Sequence, residues 1–381
     1  MASTSPSSKP TVPLFYPFIP EEAVQAVAEV LRSRYVGEGR KVAEFEANLG
    51  IRLDNEQVVS LNNGTSALFL ALDIAGVGPG DEVVTPAHTS QATNMPILQR
   101  GARPVFADVK YESCTLDPVD IEKRLTPRTK AILCVDWGGY PSDLDEIRKI
   151  GKEHDLPVIE DAAHALGASY KGKKVGSICD YTAFSFQAIK HITTGDGGAL
   201  SILDTNQFAR AVRRKWYGID RSKRKFSYLG VDPDFDITEI GYKIHMNDIA
   251  AAIGLAQLNH LDEIVARREF IAKRYREGLE GLEGIEFMEN RVDRQSSNWL
   301  FSLHVTKRLT FAKAMWENGI EVSVVNWRND KYTVFGGLRK DLPKTDKLYR
   351  DYLAIPMHNK LTDDDVERVI DTAKSALKQI G

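Results

Sequence analysis

The chain contains little cysteine, with three residues among 381: Cys114, Cys134 and Cys179. None of them has the C-x-x-C or C-x-x-H spacing that is typical of a zinc site, and an odd, scattered set does not form a disulfide framework. Single cysteines of this kind are typical of reduced thiols in the cytoplasm. The sequence therefore predicts a cytoplasmic protein without a bound metal and without structural disulfides.

An excess of charge of one sign and long apolar runs are also missing. The 50 Lys and Arg residues nearly balance the 53 Asp and Glu residues, which gives a formal net charge of -3. This balance indicates neither a nucleic-acid-binding surface nor an acidic tail. No apolar stretch approaches the roughly 18 residues of a membrane-spanning helix, and the first residues, MASTSPSSKP, lack the apolar core of a secretion signal. We predict a disordered leader over residues 1–13, and no nucleic-acid or membrane partner.

The chain does have a regular alternation of short apolar runs with helical segments. The runs lie at residues 58–61, 82–84, 105–109, 132–136 and 158–161. This alternation predicts βαβ units and a mostly parallel sheet with helices on both faces. Beyond about residue 245 the pattern changes, so we predict a large α/β domain over residues 14–259 and a smaller α+β domain over residues 260–381. Residues 216–245 show no clear periodicity and are predicted to form a long loop.

The turn Asn63-Gly64-Thr65-Ser66-Ala67 joins a predicted strand to a predicted helix. Gly64 permits a tight turn. The free N–H groups of the first helical turn, together with the hydroxyl groups of Thr65 and Ser66, could hold a phosphate group. Such turns also cap helices in many proteins, so plain capping is the alternative.

An acid and a lysine follow two other predicted strands of the same domain. Asp161 belongs to the motif 160–164 that directly follows the apolar run 157–159, where burial of its carboxylate is unfavourable without a partner; a role as a helix N-cap is the alternative. Lys190 lies in a Ser/Thr/Gly-rich stretch between the strand candidates 181–186 and 198–203. A solvated surface lysine is the ordinary interpretation, but the low charge around Lys190 favours a half-buried amine whose pKa can be tuned for Schiff-base chemistry.

Together these features predict a pyridoxal phosphate (PLP) site. Gly64, Thr65 and Ser66, with Ser185, would hold the phosphate group. Asp161 would keep the ring nitrogen protonated, which makes the ring an electron sink. Lys190 would bind the aldehyde covalently and then transfer the proton.

At this point the sequence resembles the DegT/DnrJ/StrS family of nucleotide-sugar aminotransferases. The motifs that carry the resemblance are Asn63-Gly64-Thr65-Ser66-Ala67-Leu68, Glu160-Asp161-Ala162-Ala163-His164, Ser185-Phe186-Gln187-Ala188-Ile189-Lys190, Thr194-Gly195-Asp196-Gly197-Gly198, Met246-Asn247-Asp248 and 251–258. The resemblance extends from about residue 14 to the end of the chain. It implies the aspartate-aminotransferase fold (fold type I) and a homodimer with two active sites at the subunit interface.

The resemblance also implies roles for further residues. Lys190 corresponds to the lysine that binds PLP, and Asp161 corresponds to the partner of the ring nitrogen. Ala163 corresponds to a small residue packed on the ring, and His164 to a Gln or His that bonds near the cofactor. Asn247 corresponds to an asparagine that reaches the phosphate of the other subunit, a role compatible with a helix N-cap.

The sequence departs from the family pattern at several substrate and cofactor positions. Many relatives place an aromatic ring over the cofactor from the loop that here spans residues 85–93, where His88 has the only ring; His88 is the predicted stacking group, or else a loop histidine bonded to backbone. Tyr217 replaces a histidine that often lies near the substrate. Further predicted substrate contacts in the small domain are Trp327, Arg328, Asp330 and His358.

The predicted function is the transfer of an amino group from glutamate to a nucleotide-linked keto-sugar, with pyridoxamine phosphate as the intermediate cofactor form. Three alternatives remain: a pyridoxamine-phosphate-dependent sugar dehydratase, a cyclitol aminotransferase, and a non-catalytic regulator that binds PLP or a sugar nucleotide. The resemblance implies that dehydratases related to this family carry His at the position of Lys190. The presence of Lys190 therefore argues against the first alternative. The sequence leaves open the nucleotide, the sugar and the ring carbon that receives the nitrogen.

Overall fold

The computed structural model describes residues 11–228, 230–232 and 236–380. Its helices are α1 (Glu21–Ser33), α2 (Arg40–Leu53), α3 (Gly64–Ile74), α4 (Gln91–Gln99), α5 (Pro118–Arg124), α6 (Leu144–Glu153), α7 (Thr205–Arg214), α8 (Asp248–Leu258), α9 (Leu261–Leu279), α10 (Arg308–Glu317), α11 (Pro343–Asp351) and α12 (Asp363–Ile380). Its strands are β1 (Val58–Leu61), β2 (Glu82–Pro86), β3 (Arg103–Ala107), β4 (Thr129–Val135), β5 (Val158–Asp161), β6 (Ser169–Tyr170), β7 (Lys173–Lys174), β8 (Tyr181–Ser185), β9 (Gly198–Ile202), β10 (Lys225–Ser227), β11 (Gly230–Asp232), β12 (Ile285–Phe287), β13 (Arg294–Gln295), β14 (Phe301–Val305) and β15 (Tyr352–Ile355).

The large lobe is built on a seven-stranded sheet of order β1-β9-β8-β5-β4-β2-β3. The pairs β3/β2, β2/β4, β4/β5 and β5/β8 are parallel. Strand β9 pairs antiparallel with both β8 and β1, so β1 points the same way as β8 and β9 alone in this sheet is reversed. The prediction of a mostly parallel sheet is therefore confirmed.

Both faces of this sheet are covered, because consecutive residues of one strand enter different cores. Val83 and Leu133 belong to the apolar cluster beneath α3, whereas their neighbours Val84 and Ile132 belong to a second cluster that includes Leu144 of α6. Alternation of side chains along a strand produces this division. Nearly continuous apolar runs are the sequence signature of such covered strands.

Parallel pairing brings the carboxyl ends of several strands to one edge of the sheet. Strand β5 ends at Asp161, β8 ends at Ser185, and β1 leads directly into the turn before α3. Open α/β sheets bind their ligands at this edge. The topology thus brings together three chain segments that are far apart in sequence.

The small lobe has an antiparallel sheet of order β12-β14-β15, with α9, α10 and α12 packed around it.

Three sequence predictions concern segments outside this sheet. Residues 321–325, which the sequence predicts to be a strand, are extended, but their pairing with β15 is a single isolated bridge from Ser323 to Ala354. The predicted loop 216–245 contains the hairpin β10/β11. The domain boundary at residue 260 stays a prediction.

The predicted leader is partly wrong. Residues 1–10 lie outside the described part of the chain, but Thr11 and Val12 both donate backbone hydrogen bonds to the carbonyl of Gly319, at 2.9 and 3.0 Å. Val12 is 2% exposed and belongs to the small-lobe core. Residues 11–13 are therefore held against the small lobe and do not belong to a disordered leader.

No helix in the described ranges has both the length and the apolar character needed to cross a membrane.

Candidate active site

A cavity of about 380 Å³ lies at the carboxyl edge of the large sheet, and residues of the small lobe close its other side. The predicted site residues that line it are Gly64, Thr65, Asp161, Ala163, His164, Ser185 and Lys190. A larger cavity of about 650 Å³ lies between α9 and residues 287–302, and none of the predicted site residues lines it. The positions of the predicted site residues therefore place the candidate active site in the smaller cavity.

Lys190 lies in the loop that follows β8. The loop is closed where Phe186 donates to the carbonyl of Gly197 at 2.8 Å and accepts from Thr194 at 2.9 Å. Burial lowers the pKa of Lys190 to about 7, although the Asp161 carboxylate acts in the opposite direction. A substantial share of the amine is therefore neutral near pH 7, which is the nucleophilic form.

Asp161 is 5% exposed and lies at the carboxyl end of β5. Burial raises the pKa of its carboxyl group, and three groups oppose that change: the hydroxyl of Thr93, the backbone N–H of Ala163 and the charge of Lys190. Thr93 donates to Oδ2 at 2.7 Å, and Ala163 donates to Oδ1 at 3.1 Å. Each carboxylate oxygen is therefore held by a donor, and the carboxyl group is fixed in one orientation.

A chain of hydrogen bonds connects Asp161 to the small lobe. Thr93 uses its only hydroxyl proton on Asp161, so the hydroxyl of Thr89, 2.7 Å away, must donate to Thr93. Asn329 is fully buried and donates its side-chain N–H to the carbonyl of Thr89 at 2.7 Å. Asn329 also donates its backbone N–H to Ala87 at 2.7 Å. The loop around Asn329 thus holds the segment that supplies the donor to Asp161.

The neutral ring of His164 and the indole of Trp299 form one wall of the cavity. The two rings are stacked with centroids 3.7 Å apart, and the Lys190 amine lies 3.8 Å from the indole centroid. Burial lowers the pKa of His164 well below its usual range, with the Lys190 charge acting in the same direction. Gly138 donates its N–H to Nδ1 of His164 at 3.4 Å, which assigns the ring proton to Nε2.

The turn before α3 and the end of β8 form a close cradle. A Cβ atom at Gly64 would lie 2.9 Å from Cβ and 3.2 Å from Oγ of Ser185, so only glycine permits this approach. Asn63 caps the helix by accepting from the N–H of Ser66 at 2.7 Å. The amides of Gly64 and Thr65, which helix geometry leaves without an intrahelical acceptor, belong to cavity-lining residues. Ser66 is not among the lining residues.

These residues fit PLP. A helix N-terminus with adjacent hydroxyl groups suits a phosphate, and the cradle that Gly64 keeps open provides the space for it. An amine with a lowered pKa and an oriented carboxylate line the same cavity. The small side chain of Ala163 lies beside Asp161 and leaves room for a flat ring.

The predicted stacking role of His88 is wrong. His88 is fully buried and packs against Trp137, with centroids 4.0 Å apart. Its Nδ1 lies 2.8 Å from the hydroxyl of Tyr349, which donates its own proton to the carbonyl of Asn326. The side chain therefore points into the protein core, and Thr89 and Ser90 line the cavity from this loop instead.

Arg328, Asp330 and His358 do not line the cavity, and the prediction that they contact substrate is wrong for this structure. Arg328 forms a buried bidentate pair with Asp330, at 2.6 and 2.7 Å, and a further bond to Asp346. His358 bonds the carbonyl of Pro13 at 3.1 Å through Nε2. Their polar groups are used to hold loops of the small lobe, which sequence spacing does not reveal.

Three other predicted contacts also lie outside the cavity lining. Tyr217 is 48% exposed, and Trp327 is 43% exposed with the ring of Tyr349 stacked 5.9 Å away. Asn247 is exposed and caps α8 by accepting from Ala250 at 2.9 Å. Their proposed contacts with substrate, or with the cofactor of a second subunit, stay predictions.

Several residues of the site are not predicted from the sequence. Thr93, Trp299 and Phe15 line the cavity, as do Glu321 and Ser323 from the small lobe. A signal existed for Trp299, because a single tryptophan directly precedes a predicted strand. Thr93 reaches the site through the packing of α4 within the large lobe. Phe15, Glu321 and Ser323 come from segments whose position depends on how the two lobes pack.

A model of the DegT/DnrJ/EryC1/StrS aminotransferase family matches residues 17–374. The chain is 40% identical over 266 residues to the UDP-4-amino-4-deoxy-L-arabinose–oxoglutarate aminotransferase of Shewanella sediminis, which covers 70% of this chain and 68% of that protein. These matches confirm the resemblance that the sequence motifs predicted.

Two solved structures are similar over nearly the whole chain. The sugar aminotransferase CalS13 from Micromonospora echinospora superposes with a TM-score of 0.91 at 36% identity, covering 96% of this chain and 100% of that chain. Spr1654 from Streptococcus pneumoniae, in its PLP-form, superposes with a TM-score of 0.89 at 29% identity, covering 97% and 99%. The predicted fold type I architecture is confirmed.

Proposed function

We propose, on the premise that the chain belongs to the DegT/DnrJ/EryC1/StrS aminotransferase family, that it transfers the amino group of glutamate to a keto-sugar linked to a nucleotide. The protein is a PLP-dependent sugar aminotransferase. The amino donor, the keto group of the acceptor and the nucleotide are the proposed parts.

One observation carries the proposal. The amine of Lys190 and the carboxylate of Asp161 line the same cavity, and each shifts the pKa of the other. The cofactor, when bound, supplies an aldehyde that reacts with amines and a ring that accepts electrons. A regulator that only binds a ligand has no need of an amine whose pKa is lowered for proton transfer.

The residues of the chain divide the chemistry among them. Lys190 would hold the cofactor through Nζ in the resting enzyme, and the same amine, when free, would move the α-proton of the donor. Asp161 would face the cofactor ring as a carboxylate, since the hydrogen bonds from Thr93 and Ala163 and the charge of Lys190 oppose the effect of burial on its pKa. The stacked rings of His164 and Trp299 form the cavity wall beside Lys190.

The proposed donor and acceptor agree with the names of similar proteins. The Shewanella sediminis relative is named for a UDP-linked amino sugar and for oxoglutarate, the product that glutamate leaves after giving up its amino group. CalS13 is named as a sugar aminotransferase. We therefore propose glutamate and a nucleotide-linked keto-sugar as the two substrates here.

We also propose that two copies of the chain form a homodimer in the cytoplasm. Asn247 is exposed at the start of α8, outside the cavity of its own protomer, and would reach the cofactor phosphate of the other copy. The three cysteines are free and buried, which is compatible with a reducing compartment.

Covalent attachment of PLP to the cofactor-free protein should depend on pH with a midpoint near 7. Burial lowers the pKa of Lys190 to about 7, and only the neutral amine attacks an aldehyde. The attachment rate should therefore rise about tenfold per pH unit below the pKa and level off above it. Stopped-flow absorbance across this range, with Nα-acetyllysine as the unburied control, measures the profile. A rate that climbs steadily up to the ordinary lysine pKa would contradict the burial of this amine.

The function is tested by its two half-reactions. Glutamate added to the PLP-loaded protein should release 2-oxoglutarate and convert the visible absorption to that of the pyridoxamine form. The converted protein should then aminate at least one member of a panel of UDP-, GDP- and dTDP-linked keto-sugars, as detected by mass spectrometry. Absence of 2-oxoglutarate contradicts the donor, whereas amination of a free keto-cyclitol but of no nucleotide sugar contradicts the acceptor.

A further inference from the structure

The small-lobe wall of the active-site cavity is an extended segment with alternating side chains. Glu321, Ser323 and Val325 line the cavity, while Val322 and Val324 pack against the small-lobe core. The backbone is fixed on the core side, because Glu321 donates its N–H to Val12 at 3.0 Å and Ser323 donates to Ala354 at 3.1 Å. The segment therefore presents every second side chain to the ligand.

The groups presented by this wall differ from those of the large lobe. Glu321 brings a carboxylate, Ser323 a hydroxyl and Asn326 an amide to the cavity. Glu321 already accepts one hydrogen bond, from the N–H of Leu14 to Oε2 at 2.8 Å. An ionised carboxylate has about four acceptor sites, so Glu321 can accept further hydrogen bonds from a ligand.

An aromatic pair lies on the same side of the cavity. Phe15 lines the cavity and stacks on Trp299, with ring centroids 5.2 Å apart and an angle of 25° between the planes. The N–H of Leu14, the residue before Phe15, is the group bound by Glu321. The carboxylate and the aromatic ring are therefore held in a fixed relation to each other.

A flat apolar ring beside oriented hydrogen-bond acceptors matches the two kinds of surface on a hexose. The C–H face of the sugar packs on an aromatic ring, and its hydroxyl groups donate to carboxylate and amide oxygens, with the charge-assisted bonds the stronger ones. Glutamate fits this wall poorly, because its two carboxylates are repelled by the charge of Glu321.

We propose that Glu321 is the specificity-determining residue for the sugar, accepting hydrogen bonds from hydroxyl groups of a hexose that packs on Phe15. Ser323 and Asn326 complete this hexose subsite. The inference rests on the proposed function, since it assigns the sugar of the second half-reaction to the small-lobe wall and leaves the glutamate half-reaction to other residues.

Equilibrium binding separates the sugar from the nucleotide. Calorimetry on the PLP-loaded wild-type protein and on Glu321→Gln would compare UDP-glucose, GDP-mannose and dTDP-glucose with the bare nucleotides UDP, GDP and dTDP. Glutamine keeps an acceptor for the N–H of Leu14 but loses the charge. Glu317→Gln makes the same chemical change on α10, where the carboxylate pairs with Lys313 at 3.6 Å, and serves as the matched control.

We expect Glu321→Gln to weaken binding of at least one nucleotide-hexose about tenfold, which is the effect of losing one charge-assisted hydrogen bond. Binding of the bare nucleotides should stay at the wild-type value, and the glutamate half-reaction should be no slower than in the wild type, because the substitution removes a charge that repels glutamate. All values for Glu317→Gln should stay at wild-type values. Equal weakening for bare nucleotides, or a slower glutamate half-reaction, overturns the assignment.

Failure of this inference can be told from failure of the proposed function. A wild-type protein that binds all three nucleotide-hexoses no more tightly than the bare nucleotides overturns the hexose subsite, even when it turns over glutamate and a keto-sugar. A wild-type protein that neither releases 2-oxoglutarate nor aminates any nucleotide sugar overturns the proposed function instead.

Discussion

Lys190→Ala should lower the rate of transamination about 10²–10⁴-fold, which is the usual contribution of a positioned proton-transfer group. The variant also loses the only amine among the residues that line the cavity in the described chain, so borohydride reduction should no longer fix PLP to the protein. Activity is measured as 2-oxoglutarate release, and covalent attachment as the mass of the intact chain after reduction.

Lys171→Ala is the matched control for Lys190→Ala. Lys171 pairs with Asp145 at 2.7 Å on the surface and is not among the residues that line the cavity. The control should retain wild-type activity and should carry one reduced cofactor per chain. If Lys190→Ala also carried a reduced cofactor at a specific site, another amine would hold PLP, and the assignment of Lys190 would be wrong.

Asp161→Asn should lower turnover by about three orders of magnitude or more with the fold intact, because an amide has no charge to hold the ring nitrogen protonated. The two donors to Asp161, Thr93 and the N–H of Ala163, are arranged for a carboxylate that accepts at both oxygens. The side-chain amide of the variant must turn its NH₂ group toward one of these two donors. Steady-state kinetics gives the loss, and circular dichroism confirms that the fold persists.

Asp145→Asn makes the same change in the surface pair with Lys171 and should leave turnover unaltered. A second readout comes from the bound cofactor, whose visible absorption reports protonation and should shift in Asp161→Asn but not in the control. Near-normal turnover together with an unchanged spectrum would remove Asp161 from its role.

The residues that the sequence predicts well are those at strand ends. Lys190, Asp161, Gly64 and Ser185 follow or end apolar runs, and parallel pairing brings such ends to one edge of a sheet. Their convergence in one cavity could therefore be predicted from periodicity and residue type. Thr93 was not predicted, because its contact with Asp161 depends on how α4 packs beside β5.

Predictions failed where tertiary contacts decide which side chains are buried. His88 has the ring expected of a stacking residue, yet Trp137 and Tyr349 surround it in the core. Arg328 and Asp330 are charged side chains in a loop, which suggested contacts with substrate; their burial is possible because they neutralise each other. Neither outcome follows from local pattern, since the partners are distant in sequence or require a fold to bring them together.

The hydrogen bonds of Asn329 restrict the exchange of whole lobes between this protein and its relatives. They link the small lobe to the segment that steadies the Asp161 carboxylate, so the lobes are not interchangeable modules. A chimera that joined this large lobe to the small lobe of a relative would need an asparagine in the same register, or else lose the hydrogen bonds that support the Asp161 carboxylate. Recombination within the family is thereby restricted at a buried position outside the cavity lining.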